Sequence, residues 1–369
     1  MAAIALPNTL ADINENWLTE ALKNSGTLKK TRVSSCRAET IGAGTGFMAD
    51  LARLHITYDT PEERGPKTLI VKIPASAPEN LMVALTFNFY KREMDFYRYA
   101  APQSCLRTPR PYYLDIDDRG QKFIMLLEDL GPATLDQVQG ASAETTYQAI
   151  IELARFHAQF APKVQAGELS WLMDSAAPDY VALNSGIYQM ALEPAMKNFS
   201  DHFTPVTRKV AEDLYDKILP LMTDRIESGL TMIHGDYRLD NMFMGQLPPR
   251  EGFPPEGLAV VDWQICCIAE CGFDVGYHMC SISTEVRRVI EAKALKDYYQ
   301  SLLEHGMEQY PFDEFQDRYK RSILFSLLYA ISVAGNLDLA NERGVALTRI
   351  ALDRVLSAIE DHKAGELMP

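Results

Sequence analysis

Near residue 130 the chain changes from strand-like to helical patterning, and this switch restricts the folds open to it. Before the switch lie five extended, apolar-rich stretches, at 32–41, 49–58, 68–74, 110–117 and 122–130. Turn-rich connections such as PEERGPK and Asp118-Arg119-Gly120 separate some of them. Two helical patterns accompany these strands. Residues 8–24 carry Ile13, Trp17, Leu18, Ala21 and Leu22 at helical spacing, and residues 80–100 carry Leu85, Phe89, Phe96 and Tyr97. Beyond the switch, 143–160, 207–227, 285–305, 312–336 and 341–362 all read as helices. Two short apolar strands interrupt them, LTMIHGD and LAVVDWQ, joined by QLPPREGFPPEG, whose prolines and glycines exclude a helix. An α+β chain in two parts is expected, with a boundary near 130.

Charge follows the same boundary. Residues 1–130 hold 16 basic and 16 acidic side chains, whereas 131–369 hold 20 and 34, so the second part carries the whole net charge of −14. An acidic chain without a basic stripe repels a phosphate backbone, which argues against general nucleic-acid binding. The opening MAAIALPNTLADINENW has neither a basic start nor a long apolar run, so no secretory signal is expected. The most apolar run, 323–335, spans 13 residues, short of the ~20 of a membrane helix, and predicts a buried core helix rather than a membrane span. Of six cysteines, Cys36, Cys105, Cys266, Cys267, Cys271 and Cys280, the last four are spaced CC-x3-C-x8-C. That spacing lacks the paired knuckles of a zinc site. Reduced, buried thiols in a cytoplasmic protein are the expectation.

The sharpest chemical signal is MIHGDYRLDNMF at 232–243, an H-G-D-x4-N pattern followed, 21 positions after Asn241, by Asp262 in AVVDWQ. Phosphoryl transfer needs a carboxylate near the attacking hydroxyl and hard oxygen ligands for a magnesium ion. Asp236 and Asn241 project from one loop, and the Pro-rich connection returns the chain to Asp262. Taken by itself the H-G-D triplet is equally a turn. As a whole the stretch resembles the aminoglycoside phosphotransferase and choline-kinase-like group, small-molecule relatives of the protein kinases. The loop HGDYRLDN is similar to the acyl-CoA-dehydrogenase-linked branch. The segments LLEDLG and D-W-Q are similar to the ecdysteroid-kinase-like branch, whose acceptors are lipophilic alcohols.

The resemblance implies a protein-kinase-like two-lobed fold. Its N-terminal nucleotide-binding lobe, 1–130, would be a five-stranded antiparallel sheet with one main helix. A hinge at about 128–132 would lead to a mostly helical catalytic and substrate-binding lobe, 131–369. It implies Asp236 as catalytic base, Asn241 and Asp262 as Mg²⁺ ligands, and ATP as donor. In IGAGTGF, Gly42, Gly44, Thr45 and Gly46 stand where a phosphate-covering loop is expected, although G-x-G-x-G also fits a plain turn. Lys72 in LIVKIP matches the strand lysine that holds the α- and β-phosphates; a snorkelling edge lysine is the other reading. Glu93, 21 residues on, resembles its glutamate partner, with a surface i,i+4 role or Asp95 as alternatives. Glu128 and Leu130 would contribute hinge backbone to adenine. Asp274 resembles an anchor of the catalytic loop, and His157 a packed helix histidine.

Three departures separate the chain from protein kinases. Gly235 replaces the arginine that receives a phosphorylated activation loop. Only 11 residues separate Asp262 from Asp274, too few for a peptide-binding activation segment. Trp263-Gln264 stands where Phe-Gly would follow the metal aspartate. An enzyme phosphorylating a small-molecule hydroxyl is therefore expected, with a pseudokinase or nucleotide-dependent binding module as the alternative. The acceptor stays open between a lipophilic alcohol and a cation such as an aminoglycoside or choline, as do ATP against GTP and monomer against dimer. The segment 171–203, with Trp171, Tyr180, Tyr188, Met190, Met196 and Phe199, reads either as core or as an acceptor wall.

Overall fold

The computed structural model describes residues 4–41, 48–60, 65–132, 134–307 and 310–369. The chain divides into two compact units, Met1–Gln103 with Thr108–Pro132, and Ser104–Arg107 with Ala133–Pro369.

The first unit opens with α1 (Glu15–Asn24), started by the Asn14 side chain, which accepts from the Asn16 and Trp17 amides at 3.1 Å. Then come β1 (Val33–Thr40), β2 (Ala49–Tyr58), β3 (Thr68–Pro74), α2 (Pro78–Thr86), α3 (Phe89–Asp95), β4 (Pro111–Ile116) and β5 (Phe123–Glu128). The five strands form one antiparallel sheet in the order β1-β2-β3-β5-β4. FIMLL, buried throughout, fits the interior place of β5. Leu18, Ala21 and Leu22 of α1 join a core with Leu54, Val71 and Leu126 of the sheet.

The helix expected over 80–100 is broken. Asn88 takes φ 56°, a left-handed conformation that a short polar side chain tolerates, so α2 ends and α3 starts afresh. Beyond Asp95 the chain widens into a π turn, Phe96–Ala100.

The second unit comprises α4 (Ala143–Gln165), α5 (Pro178–Asn198), α6 (Pro205–Leu214), α7 (Ile218–Thr223), β6 (Leu230–Ile233), β7 (Met242–Gln246), β8 (Glu256–Val260), β9 (Cys267–Glu270), α8 (Gly272–Ser281), α9 (Thr284–Glu304), α10 (Phe312–Asn336) and α11 (Glu342–His362). The pattern at 207–227 yields two helices rather than one. Pro220 has no N–H for the preceding turn and its ring crowds that turn's carbonyl, so the chain restarts at Ile218. The apolar run 323–335 lies within α10. There Gly335 meets Ala191 of α5 so closely that a Cβ would stand 2.1 Å from its carbonyl oxygen. Among the described residues no helix is long and apolar enough to cross a membrane. Cys266, Cys267, Cys271 and Cys280 are buried thiols, and burial pushes Cys271 and Cys280 up to about 12.

The aromatic stripe of 171–203 packs chiefly into this unit. Tyr188 is fully buried and donates to the Ala211 carbonyl at 2.7 Å, and Phe199 is buried too, while Met190 faces solvent.

Candidate active site

The loop after β6 is anchored from beneath by a single carboxylate. Asp274, fully buried on α8, accepts from the backbone amides of His234 (2.6 Å) and Gly235 (2.8 Å). Its Oδ2 also accepts from His157 Nε2 at 3.3 Å. The other nitrogen, Nδ1, must then accept from the Tyr298 hydroxyl at 2.6 Å. Thr231 of β6 donates to the His157 carbonyl at 2.7 Å, which closes the support. Both Asp274 and His157 are thus built into the scaffold of the loop. Gly235 has φ 85°, and a Cβ there would lie 2.7 Å from the Ile265 carbonyl oxygen. Only glycine makes this turn without strain.

His234 ties the two arms of the site. Its Nδ1 accepts from the Asp236 amide at 3.1 Å, and its Nε2 therefore donates to the Val261 carbonyl at 2.9 Å. The Val261 amide in turn donates to the Asn241 carbonyl at 3.0 Å. Trp263, fully buried, lies 4.5 Å from the His234 ring and donates to the Val260 carbonyl at 3.1 Å. Between these pinned neighbours Asp262 adopts φ 65°, a strained conformation for a non-glycine residue. The Pro-rich connection is a hairpin of β7 and β8 that pairs Met242 with Val260 and Gln246 with Glu256. This pairing brings Asn241 and Val261 together.

Asp236 is held by several donors. Asn241 Nδ2 donates to both its carbonyl and its Oδ2, each at 2.9 Å. Arg238 Nε approaches the carboxylate at 3.0 Å, and the Tyr277 phenol stands close to it. Asp236 holds the Arg238 guanidinium protonated beyond its ordinary range. Burial, with Asp236 close by, pushes the Tyr277 phenol well up.

Sequence reasoning did not single out Arg238, Tyr277 or the bridging role of His234. Tyr277 stands one helical turn beyond Asp274, and that i,i+3 spacing was the signal for it. Gln137 was likewise missed. Its amide donates to Asp240 Oδ1 (2.7 Å) and its Oε1 accepts from the Leu239 amide (3.2 Å), so it braces the same loop.

In the first unit β3 is an interior strand, with Lys72 opposite Leu51 and Met125, so the edge-lysine reading fails. Lys72 Nζ donates to Glu93 Oε2 at 2.5 Å, and both are buried, which removes the surface reading of Glu93. Asp95 instead pairs with Lys91. The Glu128 amide donates to the Arg110 carbonyl at 2.8 Å, and Leu130 is buried. Between them Asp129 takes two bonds from Arg53, at 2.7 and 3.2 Å. Burial opposes ionisation of Asp129, but the guanidinium and the Gly131 amide outweigh it and hold the carboxyl below its usual range. Gly42, Gly44, Thr45 and Gly46 lie outside the described residues.

A buried histidine makes the loop acid-sensitive. His278 Nδ1 donates to the Tyr237 carbonyl at 3.1 Å, while Nε2 has no hydrogen-bond partner. Burial lowers its pKa from 6.5 to about 4. The unfolded chain therefore takes up a proton near pH 6.5 that the native state refuses until about pH 4. Stability from this source is complete above that window and falls by roughly 3 kcal/mol as pH drops through it. Thermal melting across this range should show the decline, and His278→Asn, which retains a donor, should flatten it. Equal slopes would contradict the assignment.

The sheet of five strands with its helical partner unit, and the loop of Asp236 and Asn241 returning through a hairpin to Asp262, define the protein-kinase-like fold of the small-molecule phosphotransferases. The choline kinase of Cryptosporidium parvum Iowa II is similar over 90% of this chain and 92% of its own, with TM-score 0.55 and 13% identity. The GDP complex of aminoglycoside 2'-phosphotransferase-IIIa is similar over 91% and 97%, with TM-score 0.50 and 12% identity. At these identities the likeness is one of fold. The family profile of the ecdysteroid kinase-like proteins matches residues 43–309, more than half of the chain, and the chain belongs to that family. No curated protein matches it in sequence.

Proposed function

We propose that this protein is an ATP- and Mg²⁺-dependent kinase that moves the γ-phosphoryl group to a hydroxyl of a small molecule. The observation that carries this reading is the single hydrogen-bonded assembly of Asp236, Asn241 and the Val261 backbone beside Asp262. In the transfer, the acceptor oxygen bonds to the γ-phosphorus while its proton passes to the Asp236 carboxylate. The bond from that phosphorus to the β,γ-bridging oxygen breaks, leaving ADP.

Asn241 and Asp262 fit a magnesium site by their chemistry. The Asn241 amide nitrogen is committed to two acceptors on Asp236, so its Oδ1 is the atom available to a cation. With the Asp262 carboxylate this makes a hard-oxygen donor pair, to which Mg²⁺ adds waters and phosphate oxygens. When bound, the ion supplies neutralisation of charge on the phosphates. Glu93 orients the Lys72 ammonium for the α- and β-phosphates. The glycine run 42–46 and the hinge backbone at Glu128 and Leu130 complete the proposed nucleotide contacts.

Asp262→Ala is expected to weaken Mg·ATP binding by at least tenfold in calorimetry, and unchanged affinity would count against its role. The activity itself is tested by incubating the protein with Mg·ATP and a hydroxylated-metabolite library, reading ADP release and a mass gain of one phosphate. Nucleotide binding without turnover on any acceptor would favour the binding-module alternative.

A further inference from the structure

Resting on that reading, we infer that Arg354 of α11 is a positioning residue. Its guanidinium holds the carbonyls of Gln137 and Ser281, and through them keeps the Asp236 loop in the geometry that transfer requires. Arg354 lies beyond residues 43–309, the stretch that the family profile matches, whereas the loop lies within it. The side chain is buried, and its Nη1 donates to the Gln137 carbonyl at 3.0 Å and also to the Ser281 carbonyl.

Both carbonyls belong to supports of the loop. Gln137 sits in the turn 136–140, closed where the Gly140 amide donates to the Asp136 carbonyl at 2.9 Å. Just before this turn the Leu135 amide donates to the Met242 carbonyl, also at 2.9 Å, which fastens it to the strand leaving the loop. From the turn, the Gln137 backbone amide reaches Asp240 and its side chain accepts from the Leu239 amide. Ser281 is the last residue of α8, the helix whose Asp274 holds the His234 and Gly235 amides. The Gln137 side chain donates to that same Ser281 carbonyl at 2.8 Å. The guanidinium therefore joins α11, the turn and the end of α8 at one point. A cation there also meets the negative end of the α8 dipole.

The bonds continue to the proposed base. Asp240 Oδ1 takes the Gln137 amide at 2.7 Å, and its Oδ2 faces Arg238 Nη1 at 3.5 Å. Arg238 Nε in turn meets Asp236 at 3.0 Å. A shift of Gln137 thus moves Asp240, and with it the arginine that sits against Asp236. Arg343, earlier on α11, stands 3.8 Å from Asp136 and grips the turn a second time.

Packing alone does not account for an arginine at this place. Its hydrogen-bond partners are carbonyls, and burial pulls the guanidinium below the ordinary arginine range, an effect that Glu285 and Asp240 only partly offset. An unbranched apolar side chain would fill the space without that cost. What the cation adds is the pair of bonds, and without it the buried Gln137 carbonyl loses this donor.

The test uses the full-length protein with the variants Arg354→Met, Arg354→Lys and Gln137→Leu. Leu352→Ala, which removes only buried apolar contact on the same helix, is the control. Two readouts are compared: amide hydrogen exchange over 236–242, and slow ADP release from Mg·ATP with water as acceptor, beside Mg·ATP affinity in calorimetry. Arg354→Met and Gln137→Leu are expected to speed loop exchange and to lower kcat, each by about tenfold or more. The KM for Mg·ATP should stay within about threefold of the parent. Arg354→Lys, which keeps a cation, should recover part of both losses. The double variant should lose no more than the worse single one, because both act through the same turn. Leu352→Ala should melt earlier with loop exchange and kcat held. Should Arg354→Met fail to fold, Arg354→Lys and Gln137→Leu carry the same test. Unchanged loop exchange in the Arg354 and Gln137 variants, equal losses in Leu352→Ala, or additive losses in the double variant would overturn the inference. None of these touches the kinase reading, which fails instead if the parent releases no ADP; loop exchange then still decides for or against the clamp.

Discussion

Replacing Asp236 by asparagine is expected to cut turnover by about 10²–10⁴-fold while leaving Mg·ATP affinity within a few-fold of the parent. The amide is nearly isosteric with the carboxylate but has no oxygen basic enough to take the acceptor's proton. It also presents N–H to a site already filled with donors. Arg238 Nε and Asn241 Nδ2 both point at the present carboxylate, at 3.0 and 2.9 Å, and one of them would lose its acceptor. The readout is the separation of the two constants: single-turnover phosphorylation for chemistry, calorimetry for nucleotide. Full activity in Asp236→Asn would remove Asp236 from the role of base. Equal losses in binding and turnover would point to a collapsed loop instead, and the thermal melt would show it.

Gly235→Ala and Gly235→Arg are expected to destabilise the second unit strongly, with arginine the worse. The left-handed backbone at φ 85° costs a side chain roughly 1–2 kcal/mol. The Cβ at 2.7 Å from the Ile265 carbonyl meets backbone that cannot swing aside, and crowding of this kind adds about 1–3 kcal/mol. Against a net stability of about 5–15 kcal/mol the sum is a large fraction. It also falls on the turn whose amides Asp274 holds, so activity should decline with stability. Urea denaturation should show a lower midpoint at constant slope. An unchanged midpoint for Gly235→Ala would mean that the turn can relax, and would sink this account. The same geometry explains the absence of a protein-kinase arginine at this position, since this loop has no room for one.

Much of the architecture was legible because it is written locally. Extended, apolar-rich stretches between turns marked the five strands, the apolar run 323–335 marked α10, and the four prolines of 246–257 marked a hairpin. Where local patterning misled, one residue overrode the periodicity. Asn88 turned left-handed within a helical pattern, and Pro220 split another. Neither break alters the hydrophobic spacing on either side, so spacing alone reports one helix in each place.

The chemistry divides along the same physical line. The spacing of one motif, through its resemblance to the small-molecule kinases, nominated Asp236 and Asn241, five residues apart, and Asp262 beyond the returning hairpin. Nothing in that spacing reveals that Asp262 sits at φ 65° between a pinned valine and a buried tryptophan. Nor does it show that His234 spans 27 residues to bond Val261, or that Tyr277 reaches back from α8 to Asp236. By itself the sequence determined the class of fold and the candidate chemistry, because apolar strand-like runs, helix periodicity and short motifs, with the family resemblance those motifs carry, are properties of neighbours along the chain. The tertiary structure alone decided which donors surround the proposed base and which distant residues brace its loop. Those depend on contacts between elements far apart in sequence, where packing rather than local preference sets who meets whom.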